Sequence, residues 1–325
     1  MKVPRRKFLR LAASAAALPA LPRIARAQTY PARPVRIVVG FPAGGTSDLV
    51  ARVLGQWLSE HLRQQFVIEN RPGAGSNLAT EAVARAAPDG YTLLLIGGAN
   101  TINATLFNNL NFDFLRDITP VASVFETPLV VEVNPSVPVR TIPELISYAR
   151  ANPGKLNFAT PGVGTPPHVA GELFKMMTGI DILHVPYRGT GPMLTDLISG
   201  QVQVAFDPLP ASIEQIRAGK LRALAVTTAS RSEALPSIPS ASEYIPDYVA
   251  SNWYGFAAPK TTPSEIIDKL NTEINAALAD AKIKARLVEL GGTPFASSPA
   301  VFAKFVANDT AKWAKVIRAT NIKPQ

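Results

Sequence analysis

No cysteine occurs among the 325 residues, which excludes disulfides and thiolate metal sites and leaves stability to hydrophobic cores. Histidine is nearly as scarce: His61, His168 and His184 stand at unrelated spacings, so no zinc motif can be assembled and no metal site is expected. Acidic residues are missing from the first 27 positions, whereas Lys2, Arg5, Arg6, Lys7, Arg10, Arg23 and Arg26 all lie there. Setting those seven aside takes the formal charge of +9 to 9 − 7 = +2. A chain so near neutrality has no electrostatic reason to bind nucleic acid or an anionic membrane face. Beyond the first residues, no apolar run approaches the roughly 20 residues that a membrane-spanning helix needs.

What is present is ordinary globular composition, 47% hydrophobic and 18% charged. Because single cores stop growing at roughly 250–300 residues, the length suggests two domains. The basic start, the alanine-rich stretch 11–21 and the small-x-small triplet Ala25-Arg26-Ala27 read together as an export signal cleaved after Ala27. The pair Arg5-Arg6, followed by Lys7-Phe8-Leu9, resembles a twin-arginine address, with ordinary Sec export the alternative. The mature protein is therefore expected in the periplasm.

Hydrophobic patterning gives β-α-β-α-β at the start of the mature chain. Residues 35–39 are a β-branched strand, 46–62 carry Val50, Val53, Leu54, Trp57, Leu58 and Leu62 at helical spacing, 66–69 and 92–96 are strands, and 77–87 a helix. Thr46 or Ser47 is the expected N-cap, with Asp48 in the first turn. A proline-punctuated stretch, 121–125 and 129–133, is read as a strand crossing between domains. A second αβ unit follows, with helices at 142–151, 168–178, 193–199 and 211–218 and strands at 156–159, 184–187, 202–206 and 221–226. A return crossing at 253–259 leads to helices at 263–278, 281–290 and 299–319, expected on the first domain. The expected division is 28–124, 125–250 and 251–325, the last returning to the first domain, with the two crossings as a hinge.

Two loops share one design: a strand ends, glycines let the backbone approach a guest closely, and a helix N-terminus follows, which favours an anion. The first runs through Phe41, Ala43, Gly44, Gly45, Thr46, Ser47 and Asp48, and the second through Thr160, Gly162, Gly164, Thr165 and His168. Both should open at the carboxyl ends of their strands, where open α/β sheets bind ligands. Asp207 joins the candidates as a strand-end residue before Pro208. Against each stands a plainer role: tight-turn geometry for the glycines, helix stabilisation for Asp48, a turn cap for Asp207. Arg188 could serve as a carboxylate clamp or a solvated loop charge and is read as the solvated charge, Trp253 and Tyr254 as core, and His61 and His184 as chemically idle. Gly73-Ala74-Gly75 lacks the position and spacing of a dinucleotide fingerprint, so no NAD or other cofactor is expected.

These same residues resemble the tripartite tricarboxylate transporter receptors, the Bug or TctC family. The likeness runs through YPARPVRIVVGFPAGGTSDLVAR (30–52), VIENRPGAGSNLATEAVARAAPDGYTLL (67–94), PGKLNFATPGVGTPPHVAGELF (153–174), HVPYRGTGPMLTDLISGQV (184–202) and WYGFAAPKTTP (253–263). The departure at Leu78, where glycine is more usual, is not expected to touch ligand. The resemblance implies an α/β Venus flytrap, a type II-like periplasmic-binding-protein fold. It implies no catalytic residue, a small carboxylated solute, a membrane permease as partner, and a monomer. The competing readings are a secreted hydrolase using Ser47 or Ser76 with His168, which lacks a nucleophile elbow, and a scaffold without a ligand.

Overall fold

The computed structural model describes residues 30–320 and 322–323; the export signal lies outside the described residues. Strand β1 (Val35–Val39) leads to α1 (Thr46–Leu62), β2 (Phe66–Asn70) to α2 (Asn77–Ala84), and β3 (Thr92–Gly97) directly to α3 (Gly98–Leu106). After the single turn α4 (Phe114–Asp117) comes the 16-residue strand β4 (Ile118–Val133). The second unit is α5 (Ile142–Ala151), β5 (Asn157–Thr160), α6 (Pro166–Thr178), β6 (Leu183–Pro186), α7 (Thr190–Ser199), β7 (Val204–Pro208), α8 (Leu209–Arg217) and β8 (Arg222–Val226). The chain closes with β9 (Ser251–Pro259), α9 (Ser264–Ala279), α10 (Ala281–Glu289), β10 (Thr293–Pro294) and α11 (Pro299–Thr320).

Among the described residues the strands run in the order β2-β1-β3-β9-β4-β7-β5-β6, with β8 and β10 also on β4. β2-β1-β3 and β7-β5-β6 are parallel, whereas every pairing of β4 is antiparallel. β4 therefore belongs to both halves: residues 118–128 pair with β9 and 129–133 with β7 and β8. The proline-punctuated stretch read as a crossing strand is this one strand. Pro120 falls at a register shift and Pro128 where the partner changes, places where a missing N–H interrupts no ladder.

The return crossing begins before β9, at Thr227 and Ala250. Pro208 stands opposite Leu129 and has no N–H to exchange, and the buried Thr227 completes the pairing instead. Its Oγ1 accepts the Leu129 N–H at 3.1 Å and donates to the Ala250 carbonyl at 2.6 Å.

Two expectations are corrected. α3 is absent from the sequence reading because residues 98–103 are all buried, so the segment has no polar face to create a period. The C-terminal helices do not all return to the first half: α11 buries Phe302 and Val306 in the first core, but Trp313 and Ile317 in the second, beside Phe174 and Tyr248.

Replacing Thr227 by valine leaves the buried Leu129 N–H without its acceptor. We expect a loss of about 1–3 kcal/mol in chemical denaturation, with serine at the same position retaining most of the stability. Equal stability for all three proteins would show that the hydroxyl is dispensable.

Candidate functional site

The first loop is held by Asp48. Its Oδ2 accepts the Gly44 N–H at 2.9 Å and Arg52 Nε at 2.9 Å, and its Oδ1 accepts Asn70 Nδ2 at 3.0 Å. Asn70 Nδ2 also reaches the Phe41 carbonyl at 3.0 Å. Burial pulls the Asp48 pKa upward, but the hydrogen bonds from Arg52, Gly44 and Asn70 outweigh it and hold the carboxyl below its ordinary range. The N-cap is Gly45, not Thr46 or Ser47, and it offers no side-chain cap. Gly44, at φ 86°, takes a left-handed conformation that glycine tolerates best.

The second loop rests on stacked rings. His168 and His184 lie 4.2 Å apart and nearly parallel, with Phe158 on the other side of His184 at 4.8 Å. His168 Nδ1 accepts the Gly164 N–H at 3.3 Å, and His184 Nε2 lies 2.7 Å from Thr160 Oγ1. Burial first, then Lys175, lowers His168 to about 4, and burial, His168 and Lys175 lower His184 to about 3, so both rings are neutral. Neither is paired with Ser47 or Ser76 among the described residues, and the nucleophile-base contact of a hydrolase is absent there. His184 thus has a structural role that its sequence position alone did not reveal.

The loops meet at a cavity of about 110 Å³. Of the candidate residues, Phe41, Ala43, Gly45, Thr46, Ser47 and Thr165 line it, and Gly162 lines an adjoining chamber. Gly44, Asp48, Thr160, Gly164, His168 and Asp207 line neither; Gly44 is exposed, and the other five are buried behind the walls. The second loop also supplies fewer donors than expected. α6 opens with Pro166-Pro167, which have no N–H, and the His168 N–H is taken by the Thr165 carbonyl at 3.0 Å. Its contribution to the wall is apolar.

Other first turns fill that role. Gly98, Ala99 and Asn100 of α3 line the cavity, as do Gly189, Thr190 and Gly191 at the start of α7. Asn252 and Tyr254 complete the wall, and Thr46 Oγ1 is buried without a hydrogen-bond partner among the described residues. Sequence reasoning missed α3 and placed the start of α7 three residues late. The glycine pair Gly97-Gly98 and Gly189 before Thr190-Gly191 were the available signals.

Behind the α7 and α8 starts lies an acid pair. Asp207 and Glu132 are fully buried; Thr190 Oγ1 donates to Asp207 Oδ1 at 3.3 Å, while Asp207 Oδ2 and both Glu132 oxygens have no partner among the described residues. Burial pushes Glu132 up to about 8, and burial together with Glu132 raises Asp207 well above its usual range. Burial thus favours the protonated form of each. No acidic side chain lines the cavity itself among the described residues, and its one charged side chain is Arg188.

The chain matches the sequence profile described as "Tripartite tricarboxylate transporter family receptor" over residues 50–322. It is 39% identical to Protein BugT of Bordetella pertussis over 300 residues, covering 91% of this chain and 92% of that one. This protein belongs to the tripartite tricarboxylate transporter receptor family. Among solved structures, R. palustris Rpa4515 with adipate is 39% identical with a TM-score of 0.88, covering 91% of this chain and all of that one. MatC from Rhodopseudomonas palustris with bound malate is 33% identical, with a TM-score of 0.84 and coverage of 89% and 100%. The periplasmic binding protein BugD gives 33% and 0.86, over 91% of this chain and 100% of its own. The two-lobed α/β solute-receptor fold is thereby established, and the chain is a solute-binding receptor rather than an enzyme. No helix among the described residues is long and apolar enough to cross a membrane.

A raised folded-state pKa means that the acid pair's protonated form is the one compatible with folding. Its contribution to stability is complete below the ordinary carboxyl value of 4.5 and is lost as pH rises towards about 8. Glu132→Gln should remove much of this dependence and gain on the order of 2–4 kcal/mol at the alkaline end. The check is thermal unfolding of both proteins across that pH window. Parallel melting curves would show that Glu132 is not buried as a neutral acid.

Proposed function

We propose that this receptor captures a small carboxylate, such as a dicarboxylate or an aromatic acid, between its lobes. The observation that carries the reading is the electrical make-up of the cavity. Several helix first turns and one arginine border it, and no carboxylate side chain does so among the described residues. Each helix start favours an anion by about 0.3–1 kcal/mol at exposed sites, and more where water is excluded. Keeping Asp207 and Glu132 protonated removes the nearby negative charge that would oppose such a guest. The carboxylates named for the solved relatives, adipate and malate, support the same chemistry.

In this reading the lobes comprise residues 28–124 with 251–325, and residues 125–250, joined at the Pro128 and Thr227 crossings. Of the sequence candidates, Phe41, Ala43, Gly45, Thr46, Ser47 and Thr165 border the ligand, with Gly44, Gly162, Gly164, Asp48, Thr160, His168 and Asp207 shaping the loops around it. An open form exposes both walls, and an anion bridging them stabilises the closed form through its differential contacts. The monomeric receptor, exported and cleaved after Ala27, then delivers its cargo to a membrane permease of the tripartite tricarboxylate type.

The test is a thermal-shift screen of the processed protein against small carboxylates, followed by calorimetry, since a ligand bound only by the native state raises its melting temperature. A saturable shift with a set of acids is the expected result. Gly189→Val should abolish it, because Gly189 sits at φ 108° and a Cβ there meets Pro42 Cγ of the opposite lobe at 3.2 Å. No shift across a broad panel, with protein shown by mass spectrometry to be ligand-free, would sink the carboxylate reading.

A further inference from the structure

The 110 Å³ cavity does not end at its own walls. It adjoins an outer chamber of about 890 Å³, and both are lined by Phe41, Pro42, Pro161, Thr165, Arg188 and Gly189. The inner space is smaller than a cavity of about 150 Å³ that takes a benzene. It holds one carboxylate head and a short body; anything longer extends past the shared residues into the outer chamber.

Arg188 stands at that junction and is the only charged side chain lining either chamber among the described residues. It is exposed and carries no ion pair or hydrogen bond from its guanidinium to a described residue. Its backbone is fixed on both sides. The Tyr187 N–H donates to the Thr160 carbonyl at 3.0 Å and the Gly189 N–H to the Pro161 carbonyl at 2.9 Å. The Tyr187 hydroxyl donates to Asp196 at 2.8 Å. A cation mounted on such a braced loop loses less freedom on binding than one on a mobile loop.

The far side of the outer chamber is itself unusual. Residues 73–76 line it, and all four have positive φ, including the non-glycines Ala74 at 47° and Ser76 at 82°. Asn103 Nδ2 holds this run by donating to the Gly75 carbonyl at 2.6 Å. Left-handed backbone at non-glycine residues costs on the order of 1 kcal/mol each and gathers at ligand clamps.

We propose that the outer chamber is a second subsite, in which Arg188 binds the distal anionic group of an elongated two-headed acid and so determines specificity for diacids over monoacids. The inference rests on the carboxylate-receptor reading above. A guanidinium meeting a carboxylate forms a charge-assisted, often bidentate pair, whereas a monoacid seated in the inner cavity brings no second carboxylate into the outer chamber for Arg188 to pair with.

The experiment is calorimetric titration of the processed wild-type protein and of Arg188→Gln with α,ω-dicarboxylates from succinate to suberate, and with straight-chain monocarboxylates of matching length. The expected result is a loss of about tenfold or more in affinity for the longer diacids, a clearly smaller loss for monoacids, and unaltered melting of the unliganded variant. Arg188→Lys should recover part of the loss. Equal losses for both classes, no loss for diacids, or a wild-type preference for monoacids would overturn the subsite while leaving the carboxylate receptor standing. A wild-type protein that binds none of these acids but binds an aromatic acid would overturn it in the same way. One that binds no carboxylate at all would overturn both.

Discussion

The whole arrangement depends on β4 keeping its backbone hydrogen bonds in two different neighbourhoods. A buried strand must have its N–H and C=O groups paired, and β4 meets this requirement with β9 and β10 along one part and β7 and β8 along the other. One unbroken strand thus ties two parallel sheets to a common line. The partner exchange is confined to Pro128, which cannot donate, and to Thr227, whose backbone N–H donates to the Leu129 carbonyl where Pro208 has no N–H and whose hydroxyl accepts the Leu129 N–H. Because the two sheets share that line, the loops after β1, β3, β5 and β6 converge on one cavity.

Convergence alone would not make a site for an anion. The cavity combines first turns of α1, α3 and α7 with a wall of proline rings, so polar donors and apolar surface are unequally divided between the lobes. The charged groups nearest to it are handled differently on the two sides. Three partners favour the ionised form of Asp48, which braces its own loop, whereas burial with few partners favours the protonated forms of Asp207 and Glu132. Partner supply, not residue type, decides which carboxyl carries charge.

Much of this could be read from residues alone. The β1-α1 and β5-α6 loops and most of the order of strands and helices followed from local pattern and family likeness. Other features did not, for identifiable reasons. α3 is buried on every side and has no amphipathic period. The donors of α6 were overestimated because the helix was read as starting at His168, whereas Pro166-Pro167 form its first turn and offer no N–H groups. Arg188 was assigned to solvent because an exposed arginine after a turn looks alike whether or not a chamber opens beside it.

The amino-acid sequence by itself determined the local elements, the glycine-bearing loops and membership of the receptor family, since these depend on side-chain period, backbone freedom and short motifs. Only the tertiary structure decided which of the loop residues face the cavity and which stand behind it, how α11 divides its apolar face between two cores, and that Glu132 and Asp207 share one buried space. Those outcomes depend on contacts between residues far apart in the chain, and local pattern carries no information about which distant group will supply a hydrogen bond or withhold water.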